Sequence, residues 1–431
     1  MKWYIHLIIG VACIPLYLTL GDVFKVAMAP YVLYLLFLRR VDYIIPLLFH
    51  FMLGSTISFF ILIGTMVITL IHFSSLWKLK FNRIMLIFSG LLILLHGYNV
   101  MEQLRIGNNF VEILSSLAFP LSVFPFFWGQ LLRGNLDSDF FKKLFISIAI
   151  FVVIQLGLGE EATVRYLFFF IPFLLLSGIM FLRNYNGRLT FLDLLILVGF
   201  LMVGFVLGFV KGTIIFILAF ALLLLFNKRV KLGARLLTKP RVLIIFVALF
   251  ILSINQVETA GVSLRRDWEE TSPFESLDSF LDYAKFKAIG DRSTLWLGGL
   301  KYLREDAKLS PPLEYPEISF DNIDGSEISE VSFGIHNLPL ELIRSGGWIS
   351  GLLVTFIFLR ITFLNGRIIN KYQMRKNDRI SQLFLALVVL LFSSALIGGM
   401  VGQYLLIPSF SLLFMGLSGS LIIRSYDLIK Q

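Results

Sequence analysis

The sequence predicts an all-α polytopic membrane protein, with about 12–14 transmembrane helices and one large loop domain. Three observations predict it. Of 431 residues, 57% are hydrophobic and only 15% charged, and the mean hydropathy is +0.84. A soluble chain of this length needs far more polar surface. Long apolar spans recur from end to end, with short basic clusters between them. One stretch breaks the pattern: residues 256–347 hold seventeen Asp and Glu against nine Lys and Arg, a net −8 in a chain of net +10. The remainder therefore carries +18, and charge is sorted by compartment.

Apolar spans lie near 4–20, 25–38, 43–73, 84–99, 109–132, 143–158, 165–182, 190–209, 212–227, 242–255, 349–364, 382–400 and 403–423. Helices are expected, because an open strand edge has no hydrogen-bond partner in hydrocarbon. Met1-Lys2 before an apolar run resembles a secretion signal. No small-x-small cleavage site follows, so a first transmembrane helix is expected.

Basic clusters set the orientation: Arg39-Arg40; Lys78, Lys80 and Arg83; Arg133, Lys142 and Lys143; Arg183 and Arg188; Lys228 to Arg241; Arg367 to Arg379; Arg424 with Lys430. All share one side if the run 43–73 is a hairpin of two helices turning near Gly54-Ser55-Thr56. That side is cytoplasmic by the positive-inside rule, with both termini, and the acidic stretch faces the periplasm or exterior. Two weak spans lying re-entrant or in the interface reduce fourteen crossings to twelve. Three regions result: a transmembrane bundle over 1–255, an outer domain over 256–348 and C-terminal helices over 349–431. A pI near 9.6 could point to nucleic acid, but bases clustered beside apolar spans mark topology instead, and nucleic acid is excluded. Cys13 is the single cysteine and sits in an apolar run, so no disulfide forms within one chain.

Within the acidic stretch, Ser276–Ala288 and Thr294–Leu303 show helical periodicity. Lys308–Ser332, rich in acids and prolines, reads as a solvated loop or flap. Leu338–Ile343 reads as a short helix leading into the next crossing and broken at Gly346-Gly347.

Few residues can carry chemistry. Four of five histidines, His6, His50, His72 and His96, lie in or beside apolar spans, where the simplest role is a polar ring facing a neighbouring helix. His336 alone lies in the outer domain. Its ordinary pKa suits proton transfer near neutrality; capping or packing is the structural alternative. Arg292 begins a helix-like run containing Trp296, where guanidinium and free backbone N–H groups together suit a phosphate. Alternatively it pairs with Asp291 at the surface. Arg265-Arg266 is a second basic pair with the same alternatives. Lys211 lies in a very short turn between two apolar spans, where a cation needs a partner such as a lipid phosphate or else snorkels to the headgroups. No metal-ligand spacing, nucleotide loop, dinucleotide fingerprint or nucleophile elbow occurs. Neither metal nor cofactor is expected.

Three runs give the chain a family resemblance. Val210-Lys211-Gly212-Thr213 before a long apolar helix, Asp291-Arg292-Ser293-Thr294-Leu295-Trp296, and His336-Asn337-Leu338-Pro339-Leu340-Glu341-Leu342 before Gly346-Gly347 resemble the signatures of the bacterial O-antigen ligase and polymerase superfamily. The likeness spans about residues 195–365, and Lys211 stands where the family has Arg. It implies a glycosyltransferase-C-like membrane fold acting on undecaprenyl-diphosphate-linked oligosaccharides at the periplasmic face of the inner membrane. Lys211 and Arg292 are then expected to hold the donor diphosphate, and His336 to orient or deprotonate the acceptor hydroxyl. Arg265, Arg266, Trp296, Asn337 and Glu341 are the remaining expected substrate contacts. Membrane lipid and a chain-length regulator protein are the implied partners. Attack opposite the diphosphate implies inversion. Repeat-unit polymerase is the first reading and O-antigen ligase the second, differing only in acceptor. A flippase, which needs charges within the bundle and no outer domain, is third.

Overall fold

Among the described residues, glycine interrupts two helices, at Gly21 and Gly347, and Pro125 opens a short one. A computed structural model describes residues 3–52, 55–107, 119–134 with scattered positions up to 154, 291–313, 316, 318–321, 327–330, 338–371 and 411–430. The expected spans at 165–182, 190–209, 212–227, 242–255 and 382–400, and the helix at Ser276–Ala288, lie outside the described residues.

Helices α1 (Trp3–Ala12) and α2 (Ile14–Leu38) form a hairpin that turns at Gly21, whose φ of 55° and ψ of −135° interrupt α2. His6 Nδ1 lies 2.7 Å from the Tyr31 hydroxyl and Tyr17 packs edge-on against Phe24, so the two arms run side by side. The run 43–73 does divide near the expected turn, into α3 (Ile44–Met52) and α4 (Ser55–Ile71). At about 1.5 Å rise per residue, α3 reaches only halfway through a bilayer, so this hairpin is half-depth on one arm. After α5 (Phe73–Trp77) comes α6 (Arg83–Ile106).

The span 109–132 departs from expectation. Its described part turns at Ser122–Val123 before a short, wholly buried helix, α7 (Phe124–Gln130). Pro125 is the reason, since its ring excludes the carbonyl four residues back from a continuous helix. Helix α7 packs on α4 and on α10 (Gly416–Lys430). The crossing with α10 is tight because it uses small residues. A Cβ on Gly129 would lie 1.9 Å from the Gly416 carbonyl oxygen, and one on Gly419 2.0 Å from that of Phe126. Trp128 donates its indole N–H to the Leu36 carbonyl at 3.2 Å. Asn82 and Gln130 exchange amide bonds at 2.7 and 3.1 Å, both buried. Asn82→Leu leaves the Gln130 amide without this partner, so a loss of about 1–3 kcal/mol is expected, read from thermal unfolding in detergent.

Basic residues gather at one end of the bundle, as the hairpin assignment requires. Arg39 closes α2 with a left-handed φ of 50° and places its guanidinium 2.7 Å from His72 Nε2 at the end of α4. The Arg133 N–H donates to the Arg39 carbonyl at 2.6 Å, and Arg424 donates to the Gly134 carbonyl.

Three described helices are long and apolar enough to cross a membrane: Trp3–Gly21, Arg83–Ile106 and Leu340–Asn365. Helix α6 is turned inside out relative to a soluble one. Ser89, His96, Asn99 and Gln103 face inward, while Leu94, Tyr98 and Met101 are about 70% exposed. Polar inside and apolar outside is the arrangement a bilayer selects, and together with the three long apolar helices it suggests a membrane protein.

Beyond these helices the chain forms α8 (Asp291–Glu305), then the strands β1 (Ile318–Asp321) and β2 (Glu327–Glu330), then α9 (Leu338–Lys371). The strands pair antiparallel with Ile318 opposite Glu330 and Asp321 opposite Glu327. This ribbon refines two expectations. The described chain is predominantly helical, as expected, but it is not without strands, and Lys308–Ser332 is not simply a solvated loop. Alternation of Ile318 and Phe320 with polar neighbours drives it, with Asp324-Gly325 between the strands as the turn signal.

Candidate functional site

The described parts of the two runs that sequence singles out as chemical, Asp291–Trp296 and Leu338–Leu342, fall on helices in contact. Asp291-Arg292 opens the described part of α8 and Leu338 opens α9, and the two helices pack together, with β1 against α8. Helical periodicity in Thr294–Leu303 is therefore borne out. So is the helix from Leu338, interrupted at the expected glycines. Gly347 adopts φ 69° and ψ 176°, a conformation essentially confined to glycine.

That interruption has a structural use. Freed from helical partners, the N–H groups of Trp348 and Ile349 donate to the carbonyls of Lys308 and Leu309 at 3.0 and 3.1 Å. The stretch Lys308–Leu313 is thereby strapped across α9. Helix α6 holds it from the other side: Asn99 Nδ2 donates to the Pro312 carbonyl at 2.7 Å and Gln103 Nε2 to that of Leu313 at 2.5 Å. Arg83 and Gln103 lie at opposite ends of α6, some 30 Å apart at the helical rise. The strap thus sits at the end of the bundle away from Arg39, His72 and Arg133.

A buried charge cluster lies at the start of α9. Glu341 is 2% and Arg344 0% exposed, with Arg344 Nη1 3.9 Å from Glu341 Oε1. Arg344 makes its shorter bonds to the Pro316 carbonyl, at 2.9 Å from Nε and 2.5 Å from Nη2. Arg344 thus ties the start of α9 to the chain leaving the strap. Tyr302 of α8 belongs to the same group: burial pushes its phenol above the ordinary value, with Arg344 opposing and Asp306 adding to the shift.

Of the expected site residues, Glu341 is described with its side chain and is a counter-charge within the protein. Arg292 and Trp296 are placed on α8 four residues apart. Lys211, Arg265, Arg266, His336 and Asn337 lie outside the described residues, the last two directly preceding α9 in sequence. Sequence reasoning missed Arg344, although its spacing of three from Glu341 on one helix was a visible signal. It also missed the paired amides of Asn99 and Gln103, which are the anchors of a segment some 210 residues away.

Of the smaller histidine assignments, His6 and His50 do bond to neighbouring helices, His50 through Tyr17 at 2.9 Å. His96 faces Phe119 at 5.3 Å between ring centroids, and neither of its ring nitrogens has a hydrogen-bond partner among the described residues. No protein-family model, curated protein or solved structure matches this chain.

Proposed function

We propose that this protein is a polysaccharide repeat-unit polymerase of the bacterial inner membrane, working at the periplasmic face with both termini cytoplasmic. The observation that supports the proposal is the packing of α8, which carries Arg292, on α9, whose first residue Leu338 follows His336-Asn337 in the sequence. The strap against α9 lies at the end of the bundle away from Arg39 and Arg133, which supports an outer active face.

In this reading the donor glycan arrives on undecaprenyl diphosphate, and the acceptor is a second lipid-linked repeat unit. The acceptor hydroxyl attacks the anomeric carbon as the diphosphate leaves as an anion. Lys211 and Arg292 stabilise that charge and His336 takes the hydroxyl proton, with inversion at carbon. Lysine is a point charge, so the bidentate part of diphosphate binding falls to Arg292 with Arg265 or Arg266. Glu341 and Arg344 serve by fixing the start of α9, and so the position of His336.

The test is the surface-glycan banding of a strain lacking the gene. Wild type is expected to restore a ladder, while His336→Ala and Arg292→Ala leave core plus a single repeat. Core without any repeat, with polymer accumulating on its lipid carrier, identifies a ligase instead. A ladder unaffected by deletion removes the reading altogether.

A further inference from the structure

Where α6 faces the break in α9, several polar atoms are buried without partners. The two helices run antiparallel: Phe88 meets Phe356 at 5.1 Å between ring centroids, and Gly347 and His96 lie a similar distance along from that contact. His96 (1% exposed) has both ring nitrogens unpartnered among the described residues. Asn99 (4%) and Gln103 (3%) each spend their NH2 group on the strap and leave their carbonyl oxygen unpartnered. Ser350 (0%), three residues past the break, has an unpartnered hydroxyl.

Packing contacts draw these groups into one seam. The His96 ring lies 5.3 Å from that of Phe119. Phe119 in turn packs on Gly346, where an added Cβ would meet its ring at 2.6 Å and the Ser350 Cβ at 2.9 Å. Buried polar atoms are normally satisfied, and several left open together mark a place built for something else.

The chemistry of the open atoms narrows what fits. Two amide oxygens only accept, a neutral imidazole offers one donor and one acceptor, and the serine hydroxyl offers either. An anion brings acceptors alone and is repelled by the amide oxygens. A hard cation suits the oxygens but leaves the imidazole N–H unused. A neutral molecule with several hydroxyls, each donor and acceptor at once, satisfies the set. Phe119 supplies an apolar wall for its C–H face.

We propose that the seam between α6 and α9, beneath the strap Lys308–Leu313, binds a neutral polyol. Asn99 and Gln103 hold the strap through nitrogen and keep oxygen for the ligand. This deepens the polymerase reading by giving glycan hydroxyls a subsite in the same protein. It rests on that reading only for the identity of the polyol, since the glycerol headgroup of a lipid has the same chemistry.

The experiment uses the full chain in phosphatidylcholine nanodiscs free of sugar detergents, with neutral methyl glycosides as probes, followed by saturation-transfer NMR and thermal unfolding. His96→Phe and Ser350→Ala remove open atoms while leaving every strap anchor in place. Saturable glycoside binding is expected, weakened about tenfold or more in His96→Phe, with unfolding temperatures unchanged or raised because an unsatisfied buried group is gone. Competition by added phosphatidylglycerol assigns the site to a lipid headgroup and keeps the proposal. Absence of saturable binding overturns it, as does binding equal in both variants. So does stabilisation of the wild type by sodium or potassium but by no glycoside. Failure here is separable from failure of the polymerase reading: the latter shows as normal glycans in the deletion strain, whatever the nanodiscs bind.

Discussion

Arg344→Met is expected to destabilise the protein by about 3–5 kcal/mol, the cost of breaking a buried ion pair from one side. The guanidinium is fully buried, and its removal strips Glu341 of a counter-charge and the Pro316 carbonyl of two donors. Apparent melting temperature and monodisperse yield in detergent are the readouts, and both should fall. Glu341→Gln combined with Arg344→Met should recover part of the loss, since a neutral amide is cheaper to bury than an uncompensated carboxylate. Wild-type stability in Arg344→Met contradicts the clamp assigned to the start of α9.

Gly347→Ala is the second large effect. An alanine at φ 69° and ψ 176° costs about 1–3 kcal/mol in backbone strain alone. Its Cβ would also stand 2.3 Å from the Ser310 carbonyl oxygen, so the strap must move. Loss of stability should therefore come with faster tryptic cleavage after Lys308, which is exposed beside the displaced segment. Gly90→Ala is the control: it lies within α6 with nothing near its added Cβ, and a helical alanine there should be neutral or stabilising by up to about 1 kcal/mol. Equal proteolysis in Gly347→Ala and wild type contradicts the strap's dependence on this break.

What could be read in the sequence was local or electrostatic. The division of 43–73, the helix around Arg292 and the interruption at Gly346-Gly347 each follow from periodicity and glycine placement within a few residues. The gathering of Arg39 and Arg133 at one end follows from charge sorting. Pro125 and Asp324-Gly325 were readable signals too, but long apolar and acidic runs outweighed them, so the break before α7 and the β ribbon went unforeseen. Other features are tertiary and leave no local trace. Arg344 is buried only because a carbonyl 28 residues earlier returns to it, and the half-used amides of Asn99 and Gln103 have meaning only once Pro312 and Leu313 lie against them. Motif reading sets Glu341 beside His336 as a substrate contact, and the structure adds a charged partner, Arg344, three residues on.

The central claim is tested most directly by reconstitution. Purified protein in liposomes receives an undecaprenyl-diphosphate-linked repeat unit and no nucleotide sugar, and products are resolved by length. Lipid-linked chains of two or more repeats, one undecaprenyl diphosphate released per linkage, and loss of both with His336→Ala are the predicted result. Chain growth undiminished by His336→Ala, or no growth with substrate and folded protein both present, contradicts the account.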